Sequence, residues 1–142
     1  MQAAVGLSQL DRLSYFIEAR KRNFSILKTG LKEREDVFIL PEATKNADPS
    51  WFGFPITVRD DAGFKRDELI KFLEANKIAT RLLFGGNLLK QPYMKGRSYR
   101  VPGETPNSDK VMTSTFWIGV YPGLEEAHLS YVIEKFHEFL KR

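Results

Sequence analysis

The spacing of hydrophobic residues changes along this chain, and that change constrains the fold more than any other feature. From about Gln2 to Leu31 the apolar positions Leu10, Leu13, Ile17, Phe24, Leu27 and Leu31 recur at helical spacing, with Arg20 at the missing step. Glu18, Arg20, Lys21 and Arg22 supply a solvated face, so this stretch predicts one long helix. Gly30 and the charged run Lys32–Asp36 mark its end. Short runs of strand character then follow, bounded by proline, glycine or polar residues. They are Val37–Leu40 before Pro41, Trp51–Arg59, Ile78–Leu83, and Phe116–Tyr121 before Pro122-Gly123. Pro55 places the second run near an edge or at a bulge.

Helical spacing returns twice more. Lys65 to Lys77 reads as an amphipathic helix burying Leu69, Ile70, Phe72 and Leu73, with Asp67 and Glu68 in its first turn. Glu125 to Lys141 reads as the closing helix, with Leu124, His128, Val132, Phe136 and Phe139 or Leu140 turned inward. A short helix is expected over Asp109–Thr113. The resulting order predicts an α+β fold: a small antiparallel sheet of three to four strands with helices packed on one face, preceded by one long helix.

Composition narrows the chemistry. A chain of 142 residues with 42% hydrophobic and 28% charged residues suits one globular domain with its own core. The absence of cysteine excludes a disulfide framework, a thiolate zinc site, an iron–sulfur cluster and a cysteine nucleophile within this chain, and favours a cytoplasmic setting. No stretch approaches the roughly 20 apolar residues of a membrane span, and Met1-Gln2-Ala3-Ala4 opens no signal core. A net charge of +4 permits anionic partners such as nucleotides but falls short of a nucleic-acid footprint. No Ser, Thr, Asp or Asn caps the first helix. Two readings of that start stand side by side, a frayed end and a helix cut out of a longer chain.

No complete catalytic set is visible. His128 and His137 are nine residues apart on one predicted helix and face different sides, so they cannot share a metal. His128 is expected to be a half-buried packing residue and His137 a surface one. No serine sits in a nucleophile elbow, no phosphate loop or dinucleotide fingerprint occurs, and Asp60-Asp61 reads as a solvated turn.

Two features stand above this background. One is Arg81 followed by Phe84-Gly85-Gly86-Asn87 and Gln91-Pro92, where a strand ends and the chain turns through two glycines. Glycine lets a ligand approach the backbone, amides suit sugar hydroxyls, and arginine suits a phosphate or carboxylate. An ordinary glycine-rich turn accounts for the same residues. The other is Trp51-Phe52-Gly53-Phe54, either core aromatics or a shelf for a base or sugar ring. The basic loop with Lys90, Lys95, Arg97 and Arg100, interleaved with Tyr93 and Tyr99, reads as solvated surface, with nucleic-acid binding as the remote alternative.

Gln2–Leu10 and Phe16–Phe24 resemble the helix after the cofactor site in the DegT/DnrJ/StrS-type sugar aminotransferase and dehydratase family of fold-type I pyridoxal-phosphate enzymes. Trp51–Val58 is similar to that family's first small-domain strand, and Arg66–Leu69 through Ile78–Arg81 to its next helix and strand. The resemblance covers essentially the whole chain. Aminotransferase members usually carry a His-Tyr pair and a second His around the segment that here reads Leu83-Phe84-Gly85-Gly86-Asn87-Leu88. With Phe116–Gly123, this segment resembles the 3-dehydratase branch, above all the CDP-4-keto-6-deoxyglucose 3-dehydratases of lipopolysaccharide biosynthesis.

The resemblance implies a C-terminal small domain over 32–142, preceded by an inter-domain helix over 1–31. It also implies a nucleotide-linked 4-keto-6-deoxyhexose as substrate, carried on CDP or GDP. Pyridoxamine phosphate would condense with the C4 ketone, and the C3 hydroxyl would leave with the pyridine ring as electron sink. A histidine replaces the aminotransferase lysine in this branch, and some members add an iron–sulfur cluster. Neither His128 nor His137 matches that histidine, so no catalytic, cofactor-binding or metal residue is expected in this chain, which would be inactive alone. Arg81, Gly86, Asn87 and Gln91 become the candidate sugar contacts, with Trp51 and Phe52 as walls. The expected partners are a large pyridoxal-phosphate-binding domain and, through the N-terminal helix, a second copy of the chain, with no nucleic acid and no membrane. Under this resemblance the uncapped start reads as the edge of a larger enzyme. The alternatives are the small domain of a nucleotide-sugar aminotransferase and a stand-alone binding module of the same fold.

Overall fold

The computed structural model describes residues 1–101 and 103–141. Pro102, within the basic loop, and Arg142 lie outside the described residues. Side-chain alternation along β2 (Gly53–Val58) organises the sheet: Phe54, Ile56 and Val58 are buried, and the residues between them are half-exposed. β2 pairs antiparallel with β1 (Phe38–Ile39) and with β4 (Thr115–Gly119), and β3 (Thr80–Leu82) pairs antiparallel with β4, giving the order β1-β2-β4-β3. The register sets Phe54 opposite Ile118 and Ile56 opposite Phe116, so both strands bury the same face. The α+β arrangement expected from the order of periodicities is the one observed.

Helices α2 (Leu13–Leu31), α3 (Arg66–Ala75) and α5 (Glu126–Leu140) close over that face. α2 contributes Phe24, Leu27 and Leu31, α3 contributes Leu69, Phe72 and Leu73, and α5 contributes Leu129 and Phe136. Phe38, Phe54, Phe116 and Phe136 are fully buried, and the Phe38 and Phe136 rings meet edge-on at 5.8 Å. Each such ring is worth about 1.5–3 kcal/mol of burial. Asn23 is also fully buried on α2, and its amide donates to the Tyr121 carbonyl at 2.9 Å, which ties the end of the last strand to the helix layer.

Several local expectations shift. The single helix expected up to Leu31 is interrupted at Asp11-Arg12, leaving α1 (Gln2–Leu10) ahead of α2. Every residue of α1 is exposed, with Leu7 at 68%, so no packing enforces helical continuity across the break. Gly30 does not end the helix. It lies inside α2, where a Cβ would stand 2.3 Å from Ile133 Cδ1, so its bare backbone lets α5 cross closely. Pro55 lies in an interior strand by order, yet β1 reaches only Thr57 and Val58. At Pro55 the strand is therefore locally an edge, which tolerates the missing N–H. The short helix is longer than expected: α4 (Pro106–Ser114) begins with Pro106 in its first turn and lies against β2 and β4.

The two histidines exchange their expected roles. His128 is exposed, and its Nδ1 accepts from the Glu125 N–H at 3.1 Å as part of a capping box. His137 is half-buried, with Nε2 3.0 Å from the Gly30 carbonyl, one of the last-turn carbonyls of α2 without a helical partner. The inward face of α5 is thus centred on Leu129, Val132, Ile133 and Phe136, one residue out of phase with the sequence expectation at its start. No helix among the described residues is long and apolar enough to cross a membrane.

Candidate functional site

Opposite the helix-covered face, the sheet presents Pro55 and Trp117, which are register partners on β2 and β4. Gly53 begins this surface. A Cβ there would stand 2.3 Å from Trp117 Cε3, so its absence lets the indole lie across the start of β2. Phe52, 70% exposed, leans on Trp117 with ring centroids 5.1 Å apart. Trp51 is half-buried and stacked on Phe24 at 3.9 Å with planes 3° apart. Its carbonyl accepts from Arg20 Nη1 at 3.0 Å. With Leu83 and Phe84 these residues line a shallow apolar concavity of about 230 Å³. Phe84 is 94% exposed and held at φ +46°, an uncommon conformation for a residue with a side chain. Phe84 thus stands exposed at the mouth of the aromatic shelf.

The turn after β3 frames this shelf. Gly86 adopts φ +59°, and a Cβ there would stand 2.6 Å from Met112 Cβ and Cγ on α4. Asn87 is 4% exposed. Its Oδ1 accepts from the Leu89 N–H at 3.1 Å, and its Nδ2 donates to Thr105 Oγ1 at 2.9 Å and Asp109 Oδ1 at 2.7 Å. Both amide hydrogens are therefore engaged within the fold. Gln91 Nε2 donates to the Gly85 carbonyl and closes the turn. Lys90 Nζ meets the same Asp109 oxygen at 2.8 Å.

Of the six residues singled out by sequence, Trp51 and Phe52 meet on the shelf, and Gly86, Asn87 and Gln91 build the turn beside it. Arg81 stands apart. It is paired opposite Trp117 on the edge strand, but its side chain donates to the Thr80 carbonyl at 3.1 Å and lines a groove with Asp67, Lys71 and Glu74 of α3. Trp117, Phe84 and Asp109 went unremarked as site residues. Trp117 could have been placed by alternation, since Phe116 and Ile118 on either side of it are core residues. The left-handed backbone at Phe84 and the reach of Asp109 across the loop have no local sequence signal.

The bonds from Lys90 and then Asn87 hold the Asp109 carboxyl below the usual carboxylate range. A depressed folded value gives stability that is present above the ordinary carboxylate pKa and lost as pH falls through the depressed one. The stability difference between the wild type and Asp109→Asn should accordingly be full at neutral pH and vanish on acidification. Urea midpoints measured across that range check this, and a difference that does not change with pH would count against the contact.

The buried polar residues among those described are Asn23, Thr80, Asn87 and Thr115, all amides or hydroxyls. The described residues hold no grouping of histidine and carboxylate side chains suited to a metal, and the chain has no cysteine. A pyridoxal-phosphate site needs a phosphate cradle and a base within reach of the cofactor. The residues present do not fit that group by themselves.

Residues 1–137 match the DegT/DnrJ/EryC1/StrS aminotransferase family. Among curated proteins, the chain is 58% identical over 139 residues to lipopolysaccharide biosynthesis protein RfbH of Salmonella typhimurium, covering 98% of this chain and 32% of that protein. It is 47% identical over 142 residues to the dTDP-4-dehydro-2,6-dideoxy-D-glucose 3-dehydratase of Saccharopolyspora spinosa, covering 100% of this chain and 30% of the relative. Among solved structures it superposes on a GDP-4-keto-6-deoxymannose-3-dehydratase with a trapped PLP-glutamate geminal diamine. That match has a TM-score of 0.82 and 26% identity, over 93% of this chain and 34% of the other. The chain thus spans about a third of the length of the curated relatives it matches.

Proposed function

We propose, from the premise that this chain belongs to the DegT/DnrJ/EryC1/StrS aminotransferase family, that it serves as the sugar-facing domain of a larger pyridoxal-phosphate-dependent enzyme. Its substrate in this reading is a nucleotide-linked 4-keto-6-deoxyhexose, and the reaction is loss of the 3-hydroxyl on a cytoplasmic route to dideoxysugars of lipopolysaccharide. The observation that carries the reading is the aromatic shelf of Phe52, Phe84 and Trp117, set beside a turn whose geometry is enforced by Gly86, Asn87 and Gln91. An apolar ring surface bordered by backbone and amide groups suits a sugar or base ring. The similarity to the dTDP-4-dehydro-2,6-dideoxy-D-glucose 3-dehydratase and to the solved GDP-4-keto-6-deoxymannose-3-dehydratase supports dehydration over amino transfer.

In this reading residues 32–142 form the closing domain, and 1–31, which hold α1 and α2, form the inter-domain segment. Phe52 and Trp117 offer ring faces to the substrate. Asn87 is a positioning residue, because its hydrogen bonds hold the turn and leave no amide hydrogen for a ligand. Gly86 and Gln91 keep the turn's backbone close to the shelf. The exposed apolar side chains of α1 pack against the large domain that holds the cofactor.

The test uses the chain within its full-length enzyme. Phe52→Ala removes an exposed ring outside the core, so folding should be spared. The KM for the nucleotide sugar should rise about tenfold with kcat within about twofold, in keeping with the roughly 1–3 kcal/mol of one stacked ring. An unchanged KM overturns the shelf. The product should be a 3-deoxy sugar, and an amino sugar formed with net loss of an amino donor would assign the chain to an aminotransferase instead.

A further inference from the structure

α4 joins the turn beside the shelf to the rest of the domain, and burial does not hold it in place. None of its nine residues is buried, so its position depends on the links it makes. Towards the turn, Met112 packs against Gly86, and the Asp109 carboxylate accepts from Asn87 and pairs with Lys90. Towards the body of the domain, two cations tie it. Lys110 Nζ reaches Asp60 Oδ2 at 2.8 Å, but that aspartate is 79% exposed and such a pair contributes little. Arg66, the first residue of α3, makes the stronger tie. Its side chain is only 10% exposed, and Nη1 donates to the Met112 carbonyl at 2.7 Å and to the Thr115 carbonyl at 3.4 Å. The Met112 carbonyl lies in the last turn of α4, where helical donors run out, and the guanidinium supplies the missing partner. Nε and Nη2 both donate to Asp67 Oδ1, at 2.9 and 2.8 Å, which holds the plane of the guanidinium. α3 itself gains nothing from a cation in its first turn, which opposes the helix dipole. Met112 therefore carries Arg66 on its carbonyl and Gly86 against its Cα, Cβ and Cγ.

We infer that Arg66 is a positioning residue for the sugar site, acting through α4 on the Gly86–Gln91 turn. It touches no substrate. Its bond fixes the end of α4, Met112 sets how closely Gly86 approaches, and the turn then keeps its backbone beside the ring faces of Phe52 and Trp117. This role rests on the nucleotide-sugar reading of the shelf. In the full-length enzyme Arg66→Met should raise the KM for the nucleotide sugar about fivefold with kcat within about twofold. Methionine keeps an apolar stem, and the Asp67 it leaves unpaired is 69% exposed, so the fold should survive. Arg66→Lys keeps one donor for the Met112 carbonyl and should fall between the wild type and Arg66→Met. Phe136→Leu is the control for lost stability alone. It weakens the Phe38–Phe136 contact in the core, and should lower the melting temperature while KM stays within about twofold. Equal KM effects of Phe136→Leu and Arg66→Met would reduce Arg66 to a general stabiliser and overturn the role. Asp109→Asn reads the route, because it weakens the hold of α4 on the turn. In that background Arg66→Met should raise KM by clearly less than it does alone, and an equal increment overturns transmission through α4. An unchanged KM in Arg66→Met beside a raised one in Phe52→Ala overturns the role of Arg66 and leaves the shelf standing. An unchanged KM in Phe52→Ala removes the shelf itself.

Discussion

Gly86→Ala is expected to destabilise the chain by about 2–4 kcal/mol, the larger of the two effects on the turn beside the shelf. Two penalties combine. At φ +59° an L side chain costs roughly 1–2 kcal/mol. The new methyl would also stand 2.6 Å from Met112 Cβ and Cγ and 3.0 Å from its Cα, and the backbone contact cannot be relieved by a rotamer change. Overpacking of that kind typically adds about 1–3 kcal/mol, and the stiffer unfolded chain returns about 0.4–1 kcal/mol. Gly63→Ala is the control. It has φ +79° with nothing within 4 Å, so it reports the conformational penalty alone. In urea denaturation Gly86→Ala should lose clearly more than Gly63→Ala. Equal losses would mean that the turn does not pack on α4. The added methyl pushes the turn away from α4, so the variant should also lose nucleotide-sugar affinity in the full-length enzyme.

How much of this was legible from sequence depends on the range of each interaction. The alternation in Gly53–Val58 and the spacing of Leu69, Phe72 and Leu73 report burial on one face directly, and the sheet and its helix layer follow. His128 shows the limit of periodicity. A helix start must satisfy its own N–H groups, and that local demand holds the imidazole at the surface, so the buried position falls to Leu129. The site divides in the same way. Trp51 and Phe52 stand out because aromatics cluster there in the sequence. The left-handed backbone of Phe84 and the bond from Asn87 to Asp109, 22 residues away, come from the closed loop and not from neighbours in the chain. Asn87 was singled out for the chemistry of its amide, and the fold spends that chemistry on the loop.

That last point is open to a sharper experiment. Asn87→Ala removes a 4%-exposed amide and frees the Leu89 N–H and Thr105 hydroxyl, a loss of roughly 1–3 kcal/mol. Asn87→Asp keeps the shape but aims an acceptor at the Asp109 carboxylate, where the amide had donated over 2.7 Å. Lys90 is the one cation bridging to that carboxylate among the described residues, and it cannot offset two carboxylates at such a separation. One of the two must take up a proton, so the pair's folded-state affinity for protons rises above the ordinary carboxylate value. The sign of the pH dependence then reverses. A raised folded pKa gives stability that grows as pH falls through it, whereas the wild-type contact with a depressed Asp109 loses stability on acidification. At neutral pH Asn87→Asp should be less stable than Asn87→Ala, and near and below the usual carboxylate range the order should invert. Denaturation midpoints of both variants across that range read this directly. If the two curves run parallel, Asn87 does not bond Asp109 in solution, and its amide is free to meet a sugar hydroxyl after all.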